Sequence, residues 1–388
     1  MAHGRDWSGS PCRWGRAHGA EMDSRVSFDI EELPGLAELE TLWRAWDRAG
    51  EHSFFTSWTW IGALLRTVQQ QPSLLRAMRG GKPAGLALLT MRKGRFRGVL
   101  PIRQAWFNAS GDSELDGVTI EHNGFALPGP CDDSLWPSFT RWFADADFAD
   151  ELIAPAMPSD CDGDAREPAV IIEKSSHGYR TPLAGLGPDG IAAVLSSNAR
   201  QQLRRSMRDY GDALSLDRAS DTVAALEYFG GLKDLHTRSW ARRSRQHAFD
   251  NPFFEPFHRA LIGVGMVESS VDLLRIRAGE RVIGYLYNFR RNGVVSSYQS
   301  GFDDENPALR PGYVCHALAM AHYARAGERV YDFLAGANRL KQSFGTERYA
   351  LTWCRHRKPT LAFRGEHLAR RALRFAERLS GPRRNGTK

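Results

Sequence analysis

The chain has 388 residues, 42% of them hydrophobic and 25% charged, a composition that buries a sizeable core and excludes a disordered polymer. It contains no apolar run long enough to span a bilayer, and its five cysteines fall in neither a paired nor a His-containing metal spacing. The net charge of +7 points to an acidic partner: a phosphorylated cofactor, nucleic acid or an anionic membrane surface. No metal site is indicated, no disulfide framework is expected, and a reducing cytoplasm is the expected compartment.

Residues 1–23 carry no apolar segment of the secretory kind and read as a disordered extension, with Met22 as an alternative start. The stretch "SFFTSWTWIGALLRTV" predicts an aromatic-rich turn and an amphipathic helix. Next comes "LLRAMRGGKPAGLALLTMRKG" (74–94), which aligns without a gap on "LLRIRAGERVIGYLYNFRRNG" (273–293). The two share Leu74/Leu273, Leu75/Leu274, Arg76/Arg275, Gly80/Gly279, Gly85/Gly284, Arg92/Arg291 and Gly94/Gly293. Each copy reads strand, glycine turn, strand, then a basic turn into a third strand. A second aromatic turn and helix, "DNPFFEPFHRALIGVG", precedes the second copy. The repeat predicts two α/β units, 24–175 and 176–365, joined through the Pro-, Asp- and Gly-rich segment 154–169.

In the second unit, helices are predicted over "SSNARQQLRRSMRDYG" and "ALEYFGGLKDLHTRSWARR" and around 253–265. Strands "DLLRIRA", "VIGYLYNFR" and "VVSSYQSGF" follow, then the helix "GYVCHALAMAHYARAG", the strand "RVYDFLA", a loop and the strand "YALTWCRH". A three-strand meander, a helix and a further strand make a mixed, mostly antiparallel sheet rather than a doubly wound one. Residues 366–388 read as an Arg-rich amphipathic helix and tail, suited to peripheral contact with an anionic membrane.

Several positions carry chemistry. Arg310 and Gly312 open a helix whose first N–H groups lack partners, which makes an anion site. Arg200, Arg204 and Arg208 recur every four residues on one helix face and could grip an anionic acceptor. Asp332 stands among apolar neighbours, a setting that raises a carboxyl pKa and suits a base. Lys341 is one of only seven lysines in the chain. Tyr298, Tyr323, His316 and His322 are proton-transfer candidates, and no strand glutamate stands out as a base.

The order of meander, Arg-x-Gly loop, helix and strand resembles the GNAT acyltransferases, with "RPGYVC" as a shortened form of their phosphate loop. The serine-capped, arginine-rich helix at 196–211 and "YDFLAGANRLKQSFGTE" are similar to the CelD-like branch, which is associated with cellulose and exopolysaccharide synthesis and related to the FemABX transferases. The resemblance implies an α/β fold of tandem GNAT-like units, each a mixed, mostly antiparallel sheet flanked by helices. It implies acetyl-CoA or another acyl-CoA as co-substrate, without a metal. Ser300, Gly301 and Phe302 would meet its pantetheine arm; Arg310, Gly312, Tyr313 and Val314 would hold its pyrophosphate. Tyr298 or Tyr323 would protonate the leaving thiolate, with Asp332 and Lys341 catalytic. Tyr285, Arg200, Arg204 and Arg208 would bind a small-molecule or saccharide acceptor. The implied activity is direct N-acyl transfer in polysaccharide or cell-envelope synthesis, in the cytoplasm or at the inner membrane beside a polysaccharide synthase, with the first unit silent. The alternatives are a FemABX-like transferase using aminoacyl-tRNA, the one nucleic acid admitted, or a non-catalytic scaffold.

Overall fold

The computed structural model describes residues 26–360 and 363, apart from 119, 159–168, 185, 187–189, 212 and 243–246. The predicted extension over 1–23 and the predicted helix and tail over 366–388 lie outside the described residues.

The repeated Leu-Leu-Arg organises the sheet. Strands β2 (Ser73–Arg79) and β3 (Lys82–Phe96) pair antiparallel, as do β8 (Val271–Ala278) and β9 (Arg281–Arg291). Both hairpins slip register at the equivalent place, after Ala77↔Gly85 in one and after Ile276↔Gly284 in the other. Side chains alternate faces along a strand, so the two leucines of each copy divide. Leu74 and Leu273 enter one shared core cluster, while Leu75 and Leu274 enter separate clusters on the opposite face. The shared cluster is roofed by the two aromatic-led helices, α2 (Trp58–Thr67) and α6 (Phe254–Val267). They meet through Trp60 and Phe257, ring centroids 5.1 Å apart and edge to face.

Each hairpin extends into a third antiparallel strand, β4 (Leu100–Phe107) or β10 (Val294–Phe302), and each of these gains a parallel neighbour, β5 (Glu151–Pro158) or β11 (Val330–Ala335). The intervening helices are α3 (Leu135–Asp145) and α7 (Pro311–Arg325). Strands β1 (Val26–Glu31) and β7 (Leu214–Arg218) finish the two edges.

The centre is closed by exchange. β6 (Ala169–Pro182) leaves the first half to pair with β11, and β12 (Glu347–Arg357) leaves the second to pair with β5. β6 and β12 also pair with each other, which gives one sheet in the order β1-β2-β3-β4-β5-β12-β6-β11-β10-β9-β8-β7. The expected boundary at 175/176 therefore lies inside β6, and the expected linker begins within β5. The predicted α/β class, a mostly antiparallel sheet flanked by helices, is the observed one.

The remaining helices are α1 (Leu36–Ala49), α4 (Ser197–Tyr210), α5 (Thr222–Ala241) and α8 (Arg339–Phe344). The side chains of Ser196 and Asp221 cap α4 and α5, each accepting an N–H of the first turn. Cys315 and Cys354 are free and buried; Cys131 is disulfide-bonded, a correction to the sequence expectation, since spacing along a chain does not report proximity in space. No described helix is long and apolar enough to cross a membrane.

A glycine inside a strand commonly marks a bulge, but the slip in β10 falls between Ser297 and Gln299 and not at Gly301. Gly301 instead lets α5 press on the strand: a Cβ there would collide with the Leu232 carbonyl and lie 3.0 Å from the Leu235 Cβ. Gly301→Ala is expected to cost about 1–3 kcal/mol, measured as a lowered denaturation midpoint; an unchanged midpoint would show that α5 yields.

Candidate active site

Strands β10 and β11 pair for three residues, Val294↔Val330, Val295↔Tyr331 and Ser296↔Asp332, and then separate. Beyond that point β10 bulges, and Gln299 folds its side-chain oxygen back to accept the Ser300 N–H at 3.0 Å. A cleft of about 440 Å³ opens between the strands, lined on β10 by Ser297 to Phe302, on β11 by Phe333, and by His236, His316 and Lys341 from three helices. His236 Nδ1 lies 3.0 Å from the Ser300 carbonyl and donates to it. Burial pushes His316 down to about 3, with the Lys341 charge acting the same way, so it stays a neutral imidazole bonded to the Tyr331 hydroxyl at 2.9 Å.

The equivalent opening in the first half is spanned by its own chain. β4 and β5 also pair for three residues and part, but Asn123 Nδ2 donates to the Phe107 and Pro155 carbonyls at 3.0 Å each. The cavity that remains there measures about 150 Å³.

The structure distributes the predicted residues unevenly. Ser300, Gly301, Phe302, Tyr298 and Lys341 line the cleft. The Tyr298 ring is packed against Phe289 and His258, centroids 4.8 and 5.0 Å away. Arg310, Gly312, Tyr313 and Val314 stand at the start of α7, and none lines the cleft. Pro311 brings no N–H, and those of Tyr313 and Val314 are directed to the Arg310 carbonyl at 3.0 and 3.5 Å. The Tyr313 hydroxyl donates to Ser343, and Val314 is core. Tyr323 is fully buried behind α7, where its oxygen accepts from Asn288 at 3.1 Å and burial drives its pKa well up. Tyr285 packs against α5, its ring 5.7 Å from that of Tyr228. Arg200 donates to the Leu195 carbonyl at 3.1 Å, while Arg204 and Arg208 are exposed.

Asp332 lies on the opposite face of the sheet from the cleft, beside a loop from the first half. His122 Nε2 is 3.1 Å from Asp332 Oδ2, the Tyr349 hydroxyl donates to Oδ1 at 2.7 Å, and the Leu334 N–H donates to Oδ1 at 2.7 Å. Burial opposes charge on this carboxyl, but the hydrogen bonds from His122, Leu334 and Tyr349 prevail, and its pKa falls below the ordinary value. That reverses the expectation of a raised pKa: apolar sequence neighbours did not disclose three hydrogen-bond donors. Next in the same loop, Glu121 is buried and accepts the Ala335 N–H at 2.6 Å. Lys341 donates to the Ala335 carbonyl at 2.6 Å, so the two side chains hold Ala335 from both sides. Burial raises the Glu121 pKa and lowers that of Lys341, each opposed by the other's charge. Lys341, expected in a loop, sits on α8, whose cap Asn338 accepts the Lys341 N–H.

Residues 197–342 match the model of a family described as an acetyltransferase (GNAT) domain. This segment is similar to GNAT acetyltransferase domains. The crystal structure of FemX superposes with a TM-score of 0.54 at 10% identity, over 84% of this chain and 96% of that one. L-PGS from Bacillus licheniformis gives 0.51 at 10% identity, over 86% and 95%. At such identities the likeness is one of fold, and it extends over both halves. No curated protein matches the sequence.

The GNAT-like segment thus lines the open cleft, and the first half supplies Glu121 and His122 to its far side. Sequence reading missed both, together with Tyr349. Their only signal was an adjacent Glu-His pair in "TIEHNGF", with nothing to place it beside β11. Among the described residues, no group of three or more His, Cys, Asp or Glu side chains could hold a metal. A transferase is the activity this architecture supports.

Burial raises the Glu121 carboxyl above its ordinary 4.5. Its charge therefore costs stability above that range, and the cost is relieved as pH falls through the folded value. Glu121→Gln keeps an oxygen for the Ala335 N–H and removes the charge. It should raise the thermal midpoint more at about pH 8 than at about pH 5; an equal change at both, or a loss confined to the higher pH, would contradict the assignment.

Proposed function

We propose that the chain transfers an acyl group from acyl-CoA directly to an amine or hydroxyl of a small-molecule or saccharide acceptor. The observation that carries this reading is the separation of β10 and β11 beside the β10 bulge, which leaves a cleft with strand backbone on its wall. An extended pantetheine arm can pair with such an edge as another strand would. Arg310 and the Gly312 end of α7 would meet the diphosphate. Lys341 would face the thioester oxygen as charge develops on it. Direct attack needs alignment and a charge stabiliser rather than a covalent enzyme intermediate. Exposed Arg204 and Arg208 would orient the protein towards an anionic partner, such as a membrane-bound polysaccharide synthase.

One observation favours a second reading. Pro311 and the inward turn of the Tyr313 and Val314 N–H groups leave few backbone donors for a diphosphate at α7. A FemABX-like transferase drawing on aminoacyl-tRNA has no need of such a grip, and the FemX-like architecture is compatible with it.

Calorimetric titration with acetyl-CoA separates the two. Micromolar binding, weakened roughly tenfold or more by Arg310→Ala, is expected. No heat with acetyl-CoA or longer acyl-CoAs, together with retention of aminoacyl-tRNA on a filter, would replace the first reading with the second.

A further inference from the structure

Behind the point where β10 and β11 part lies a second cavity, of about 230 Å³, on the face opposite the cleft. Alternate residues of the same strand pairs divide between the two: Ser296 and Asp332 line this cavity, while Ser297 and Phe333 line the cleft. The first half contributes most of its remaining wall. Phe54, Phe125, Trp136 and Met157 make it largely apolar, and the exposed carboxylates of Glu51 and Asp133 stand on its rim.

His122 lines this cavity. Its Nε2 lies within hydrogen-bond distance of both Asp332 and Tyr349, whereas its Nδ1 is buried and has no partner. A carboxylate holding a proton on Nε2 obliges the neutral ring to keep a lone pair on Nδ1. The ring is also held at a cost. His122 is left-handed, at φ 47°, and so is Leu334 on the facing strand, at φ 61°. Such backbone outliers persist in non-glycine residues where the surroundings over-determine them, and they gather at functional sites.

We propose that the cavity is the acceptor site, that its acceptor is a primary amine on an apolar body, and that His122 Nδ1 is the base that takes the amine proton. This rests on the acyl-CoA reading above. The amine nitrogen forms the new C–N bond with the thioester carbon. The C–S bond breaks with its electron pair on sulfur, and the nitrogen's proton passes to Nδ1. The imidazolium then returns that proton to the CoA thiolate, so that amide and thiol leave and the neutral ring is restored. Asp332 and Tyr349 are positioning residues: they fix the tautomer and stabilise the transient imidazolium. Glu51 and Asp133 stand where an ammonium group would enter, with Arg291 and Arg329 also on the wall, so the apolar body rather than net charge carries the selection.

The test uses the full chain with acetyl-CoA as donor and benzylamine as the probe acceptor, thiol release being the signal. His122→Gln keeps a donor near the Nε2 position and cannot take a proton. It should lower thiol release by about 10²–10⁴-fold while leaving acetyl-CoA binding by calorimetry unchanged. His122→Gly suits the left-handed backbone and empties the ring's place, so added imidazole should restore activity. In the wild-type protein, ¹⁵N imidazole resonances should show Nδ1 of His122 unprotonated. Retained turnover in the glutamine variant, a proton on Nδ1, or no rescue by imidazole in folded His122→Gly would overturn the role of His122. No thiol release from the wild type with benzylamine although acetyl-CoA binds, or faster release with glucosamine, would overturn the assigned acceptor. Failure of acetyl-CoA to bind at all would sink the donor reading by itself, and the nitrogen resonances would still decide whether His122 is poised as a base.

Discussion

The exchange of β6 and β12 across the centre of the sheet is the constraint on which everything else rests. Each strand carries backbone hydrogen bonds that its own half cannot satisfy, so β5 and β11 both acquire a neighbour from across the junction. Because the strands cross, the loop at Glu121–His122 is held against β11, and Tyr349 on β12 reaches Asp332. A chain of two independent units would have no reason to keep these groups together.

Around that junction, near-symmetry and its breaking divide the labour. Both halves have the same hairpin register slip, the same three-residue parallel pairing and a left-handed residue beyond it, Ala156 in β5 and Leu334 in β11. The outcomes differ because the first half fills its gap with the Asn123 amide, whereas the second leaves a cleft. A side chain that bridges two strand edges satisfies the same backbone groups that a ligand would otherwise engage. The neighbouring residues of that same loop, Glu121 and His122, are turned towards the second half. One segment thus closes one opening and furnishes the other.

Electrostatics make the junction costly as well as specific. A buried carboxyl with a raised pKa, a buried lysine with a lowered one and an ionised aspartate lie around Ala335 and Leu334. Removing charges from water is expensive, and their mutual attraction offsets the cost only where geometry is held. The exchanged strands and the capped α8 hold it here. These are the groups on which the proposed transfer would draw.

Much of the fold was legible in the sequence because its cause is local. The period-two patterns of β8 to β10, the serine cap of α4, and the aromatic turns before α2 and α6 each report a backbone choice made within a few residues. The doubled Leu-Leu-Arg marked the two equivalent hairpins, while which leucine of each pair enters the shared core came from the structure. Ser300 to Phe302 and Lys341 were named through the family resemblance, and all of them line the cleft, Lys341 from α8 rather than from a loop. What only the tertiary structure decided are the relations that cross the junction: the swap of β6 with β12, the fall rather than rise of the Asp332 pKa, the sequestration of Tyr323, and the meeting of His122 with Asp332 over 210 residues of chain. Hydrogen-bond partners and burial belong to the surroundings of a group, and for these residues the surroundings come from the other half of the molecule.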